Sequence, residues 1–110
     1  MSINFNDIAF TEPELLSKWN PPNRAGLYAI MIPNQSSKPK PFEVVYFGES
    51  GNMSERGYSS HHKRDCWLRQ ASNNENNLFI STYYLPSSTD EQRRAIEAKL
   101  VAHYKPHCND

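Results

Sequence analysis

The chain has 110 residues, 37% of them hydrophobic and 12% aromatic, which is enough for one modest core in a single domain, residues 1–110, and too little for two. That aromatic share excludes a disordered chain, and no apolar run is long enough for a transmembrane helix or a signal peptide, so a cytoplasmic protein free of membranes is expected. Twelve basic and twelve acidic side chains cancel to a formal charge of zero, which counts against a protein devoted to gripping nucleic acid by bulk charge.

In chain order, Thr11-Glu12-Pro13-Glu14 has the form of a capping box with an early proline and predicts a short helix over 12–18, within an N-terminal extension of residues 1–23. Asn20-Pro21-Pro22-Asn23 ends it. An apolar run predicts a strand over 26–32, a Pro-, Ser- and Lys-rich loop covers 33–41, and a second strand is expected over 43–48. Glu49-Ser50-Gly51-Asn52 is a turn, from which a helix could start and take in Arg56. Gly57 and Ser59-Ser60 interrupt that helix before a further helical segment over 61–71. Leu78–Leu85, rich in β-branched and aromatic residues, reads as a third strand. Ser88-Thr89-Asp90-Glu91 is a second capping box, opening a helix that runs to about Tyr104, with Pro106 beyond it. The expected fold is α+β: a small antiparallel sheet of about three strands flanked by helices. Trp19, Trp67, Phe79 and Tyr83 are read as core or rim, and Cys66 and Cys108, without an export signal, as reduced thiols.

The last helix carries an anomaly. At roughly 100° per residue, Ile96, Leu100, Val101 and Tyr104 span a stripe, and Glu97 falls inside it. A carboxylate on an apolar face needs a cation or a metal. Arg93, one turn earlier, is the local partner to weigh against a functional one. Tyr28 and Tyr46 would by default be packing residues, and Arg56, His61 and His62 solvated ones. His103, His107 and Cys108 do not complete a zinc set at sensible spacing.

Together these residues resemble the GIY-YIG nuclease superfamily. Gly26-Leu27-Tyr28 matches the first motif and Tyr46-Phe47-Gly48 the second, each with a conservative change at its middle residue. Arg56 matches the arginine of the following helix, His61 or His62 the next histidine or tyrosine, Glu97 the late glutamate, and Asn109, after Pro106, the closing asparagine. The resemblance covers 26–109, within a core of 24–109. It implies a GIY-YIG-like nuclease domain that hydrolyses DNA phosphodiesters with one divalent ion, Mg2+ or Mn2+. In that reading Glu97 holds the metal, Arg56 clamps the phosphate, and Tyr28 and Tyr46 position the attacking water, one of them serving as its base. His61 or His62 accepts the proton onward or hydrogen-bonds a phosphate, and Asn109 either binds near the metal or pins the end of the last helix to the sheet. Gly26 and Gly48 allow close backbone approach.

Glu49 departs from the pattern, standing where many relatives carry lysine, glutamine or threonine; it would raise a neighbouring phenol's pKa or add a metal ligand. Arg56, Lys63, Arg64 and Arg69, with the basic segment 18–42, would form a phosphate track. Cutting both strands would call for a homodimer or two visits. Sequence preference would come from the loop 33–41, the 57–77 region or a separate protein. Two other readings share the fold: a non-catalytic module that binds nucleic acid or protein, and a nuclease acting on RNA or on branched or damaged DNA.

Overall fold

The computed structural model describes residues 2–33, 42–55, 58 and 61–109. Among the described residues are six strands: β1 (Ile3–Phe5), β2 (Ile8–Phe10), β3 (Glu14–Leu15), β4 (Gly26–Pro33), β5 (Phe42–Ser50) and β6 (Phe79–Tyr84). The same residues form two α-helices, α1 (Arg64–Gln70) and α2 (Asp90–Tyr104). β1 and β2 form a hairpin, and the other four strands make one antiparallel sheet in the order β3-β6-β4-β5. The α+β class is as expected; the sheet has four strands where about three were expected.

The extra strand comes from the segment expected to be a helix over 12–18. Thr11 Oγ1 accepts a hydrogen bond from the Thr82 amide (3.0 Å), and its own amide donates to the Thr82 carbonyl (2.8 Å). Its hydroxyl therefore serves β6 and caps no helix. Glu14–Leu15 extends the pairing, Leu16 N–H continues it to the Leu78 carbonyl (2.9 Å), and only a single 3-10 turn, Leu16–Lys18, is left of the helix. Long-range strand pairing outweighs a weak local propensity here.

β4 is central and buried along most of its length, so its residues alternate between two cores. Leu27, Ala29 and Met31 face one side with Phe47, Phe5, Phe10 and Leu100, under α2 and the β1–β2 hairpin. That hairpin turns at Asn6 and Asp7, both at positive φ (52° and 67°), a conformation the two residues tolerate. Tyr28 and Ile30 face the other side with Tyr46, Ile80, Leu16, Tyr58, Trp67 and Leu78, beside α1. The β4–β5 register shifts between Ile30 and Met31, pairing Ile30 with Tyr46 and Met31 with Val44. Val45 is thus a β-bulge, and Tyr46 stays on the face of Tyr28.

α2 begins one residue later than the sequence pattern implied. Ser88 donates its hydroxyl to the Leu85 carbonyl (2.6 Å), while Thr89 and Gln92 form the reciprocal capping box. Past the helix, the tail covers the open edge of β5. Cys108 N–H donates to the bulged Val45 carbonyl (2.8 Å), and Asn109 bonds both backbone groups of Phe47 (2.8 Å each).

Cys66 and Cys108 are joined in a disulfide, with their Cα atoms 5.8 Å apart. This corrects the expectation of reduced thiols: α1 and the tail converge beside β5 and bring together residues 42 apart in sequence. A loop of that length contributes about 4 kcal/mol by restricting the unfolded chain. Reduction should therefore lower the thermal midpoint by about 10 °C or more; an unchanged melting curve after complete reduction would contradict this contribution. No helix among the described residues is long and apolar enough to cross a membrane.

Candidate active site

The two motif tyrosines meet because of a glycine. Tyr28 pairs across the ladder with Gly48, and its ring lies over that residue. A Cβ on Gly48 would overlap Tyr28 Cζ and Oη and come within 2.8 Å of Cε1. The glycine of the second motif is thus the floor on which the tyrosine of the first rests. Gly26 has a different neighbour: a Cβ there would strike the Tyr83 carbonyl and approach Met53 Cε and Tyr84 Cα (both 3.0 Å). It lets β4 and β6 close together at the end of the sheet.

The Tyr28 and Tyr46 ring centroids are 6.1 Å apart on one face of the sheet. Tyr28 has no exposed surface, whereas Tyr46 keeps 7%. Tyr28 Oη and His61 Nε2 are 3.1 Å apart, and the Lys63 amide donates to His61 Nδ1 (3.0 Å). A neutral imidazole that accepts at Nδ1 carries its hydrogen on Nε2, so His61 donates to the Tyr28 oxygen. A neutral His61 in this tautomer is a donor to the phenol. His61 also stacks on exposed His62 (4.5 Å, 18°) and packs against Trp67 (4.6 Å), which in turn packs on Tyr46 (5.4 Å). Tyr58 closes the cluster edge-on to Tyr28 (5.2 Å). Beside Tyr58 opens a cavity of about 310 Å³, lined also by Leu16, Ser17, Leu78 and the Arg64–Glu75 ion pair (3.1 Å). Arg64, expected on the substrate track, holds that surface glutamate. Lys63 immediately precedes α1.

Sequence reasoning weighed Arg93 only as a partner for Glu97 and missed its burial. It is 2% exposed and directs its guanidinium to Glu49 Oε1 (2.9 Å), to the Ser88 carbonyl (2.7 Å) and hydroxyl (2.9 Å), and to Asp90. The signal was present: Arg93, Ile96, Leu100 and Tyr104 fall at i, i+3, i+7 and i+11, so the arginine shares the apolar stripe. Its partner Glu49 pairs with Leu27 in the ladder and therefore faces α2, away from the phenols. An arginine holds that carboxylate on the far side of the sheet. It acts neither as a repulsive charge beside Tyr46 nor as an evident metal ligand.

Glu97 is half-buried on α2. The helix runs beside β5, with Arg93 at Glu49 and the Tyr104 ring 5.8 Å from that of Phe47. Glu97 lies between them in the helix, and α2 packs on the Leu27–Phe47 face, so this helix is across the sheet from the two phenol rings. Asn109 commits its amide oxygen and nitrogen to Phe47 N and O, tying the tail to β5. Arg56 and residues 34–41, including Lys38 and Lys40, lie outside the described residues.

Among the described residues, no three His, Cys, Asp or Glu side chains come together to hold a metal. That excludes, for them, a protein cage of several ligands. A hard divalent ion held by one carboxylate, with water and substrate phosphate filling its other positions, fits this donor set.

A scan against family models gives no match, and neither does a comparison with curated protein sequences. Among solved structures, two crystal structures of the GIY-YIG N-terminal endonuclease domain of UvrC from Thermotoga maritima superpose with a TM-score of 0.53 each. Their identities are 20% and 19%, over 87% of this chain and 89% of theirs. Both are tyrosine-to-phenylalanine mutants bound to that domain's catalytic divalent cation. Their likeness agrees with the resemblance read from the two tripeptides, and this chain has the fold of the GIY-YIG endonuclease domain.

Proposed function

We propose that the protein is a metal-dependent endonuclease that hydrolyses DNA phosphodiester bonds. The observation that carries this reading is the meeting of Tyr28 and Tyr46 on one sheet face with His61 bonded to Tyr28, in a fold whose solved examples bind a catalytic divalent cation.

In this reading Tyr46, the phenol with residual exposure, orients the attacking water. Fully buried Tyr28 acts behind it, its oxygen held by the Nε2 hydrogen of His61. An unperturbed phenol near pKa 10 is a weak base at neutral pH, so hydrogen-bond donation to phenol oxygen matters. Arg56 clamps the non-bridging phosphate oxygens with its fork of donors, and His62 and Lys63 contact the flanking backbone. Glu97 holds Mg2+ or Mn2+, which when bound would polarise the phosphate and stabilise the departing oxygen. Water adds to phosphorus, the phosphorus–oxygen bond on the far side breaks, and the leaving oxygen ends protonated.

Supercoiled plasmid incubated with magnesium, with manganese and with chelator tests the proposal. Nicking should require metal, and Glu97→Ala should lower it about a thousandfold while remaining folded. Tyr46→Phe should cost about a hundredfold or more. Equal, chelator-insensitive nicking by wild type and both variants would leave a binding module on the same fold. Cleavage confined to RNA or branched DNA would move the substrate and keep the chemistry.

A further inference from the structure

The Cys66–Cys108 bridge meets both supports of Tyr46. On one side, Cys66 precedes Trp67 on α1, and the fully buried Trp67 ring packs on both Tyr46 and His61. On the other side, Cys108 N–H holds the carbonyl of Val45, the residue before Tyr46, and Asn109 holds both backbone groups of Phe47, the residue after it. The bridge therefore ties the element that packs the Tyr46 ring to the tail that pins the Tyr46 backbone. The core that holds Tyr28, Tyr46 and Trp67 also holds Cys108, which is 1% exposed.

We propose that Cys66 and Cys108 form a redox-sensitive positioning device: bridged, they hold Trp67 and the tail so that Tyr46 and His61 keep their mutual geometry, and reduced, they release it. For activity this rests on the endonuclease reading; for the geometry of Tyr46 and His61 it does not. Cys66 is half-buried and Cys108 buried, so attack by a dithiol reductant is assigned to the Cys66 sulfur. The reductant's thiolate attacks there, forming a mixed disulfide and expelling Cys108 as a thiolate that takes up a proton. The reductant's second thiol then attacks the mixed disulfide, freeing Cys66 as a thiol. The dithiol ends as a disulfide, having supplied two electrons and two protons.

The test compares the oxidised full chain with the same protein treated with dithiothreitol, and with Cys66→Ala/Cys108→Ala. Thiol titration fixes the redox state. The His61 ring-proton resonance, assigned by its loss in His61→Gln, reports one side of the cluster, and Trp67 emission in a Trp19→Phe background reports the other. Reduction should shift the His61 resonance and alter Trp67 emission, and reoxidation should restore both. It should also lower the kcat for plasmid nicking about tenfold with little change in KM, the mark of misplacement without lost binding. The double alanine variant should match the reduced form. Unchanged His61 and Trp67 signals in a folded, fully reduced chain would overturn the proposal, as would two free thiols after oxidation. Should reduction unfold the chain, the same signals are read in the double variant refolded with a stabilising osmolyte. Should no form nick DNA, the endonuclease reading fails, and the His61 and Trp67 signals still decide the structural coupling.

Discussion

Gly48→Ala is expected to cost both stability and activity. The added methyl carbon would overlap Tyr28 Cζ and Oη, atoms of a ring with no exposed surface. Tyr28 is closed in by Tyr58 at 5.2 Å and held at its oxygen by His61, so the ring cannot turn aside without breaking those contacts. Overpacking of this kind costs about 3 kcal/mol, near the upper end for one carbon in a packed core. For a domain of this size that lowers the thermal midpoint by about 10 °C. Nicking should fall about a hundredfold as Tyr28 leaves its place against His61. A second substitution separates the clash from backbone effects. Tyr28→Leu lacks Cζ, Oη and Cε1, so Gly48→Ala/Tyr28→Leu should regain most of the stability lost by Gly48→Ala relative to Tyr28→Leu alone, with activity still absent. Additive losses in unfolding measurements on the three variants would show that Gly48 is needed for another reason.

The parts legible in the sequence are those set by local pattern. β4, β5 and β6 announce themselves as apolar, β-branched or aromatic runs, and α2 by its capping residues and stripe. Element bounds moved by one or two residues, as where Thr89 displaced Ser88 as the cap. The segment 12–18 was misread because its capping residues are indifferent to which partner they bond. Only the arrival of Thr82 across the sheet decides that Thr11 becomes a strand contact. The β1–β2 hairpin had a readable signal, Asn6-Asp7 between two short alternating runs, and three residues on each side made it easy to overlook. The Cys66–Cys108 bridge had none, because its ends meet only after α1 and the tail have docked on β5. At the site, the two motif tyrosines were legible, yet their shared face follows from the β4–β5 register, which pairs Tyr28 with Gly48 and Ile30 with Tyr46 and which no local pattern sets. The role of Gly48 appears only when its ladder partner is known. Glu97 drew attention as a charge on an apolar stripe; the same reasoning applied to Arg93, one turn earlier, would have found the buried cation that anchors the helix.

That anchor carries the second large expectation. Arg93→Ala should destabilise the protein by about 3–5 kcal/mol, because it leaves the Glu49 carboxylate, whose side chain is only 18% exposed, without its cation. Asp90 is 68% exposed and can return to water, and Arg94, whose Nε is 3.9 Å from the other Glu49 oxygen, is itself 69% exposed and substitutes poorly. The cost therefore centres on Glu49. If that is so, removing the stranded charge should undo much of the damage. Arg93→Met/Glu49→Leu, which replaces the pair by apolar groups of similar reach, should recover most of the lost stability, since a buried pair adds little beyond what well-packed hydrocarbon would. Function should not follow stability in that variant. Arg93 fixes α2 against β5 one turn before Glu97, and an apolar contact fixes helix rotation and height less sharply than a fork of directed hydrogen bonds. The double variant is thus expected to melt near wild type yet nick DNA about tenfold more slowly, with the deficit in kcat. A double variant as active as wild type would mean that Glu97 needs no such anchor. An Arg93→Ala protein as stable as wild type would mean that water reaches Glu49 freely.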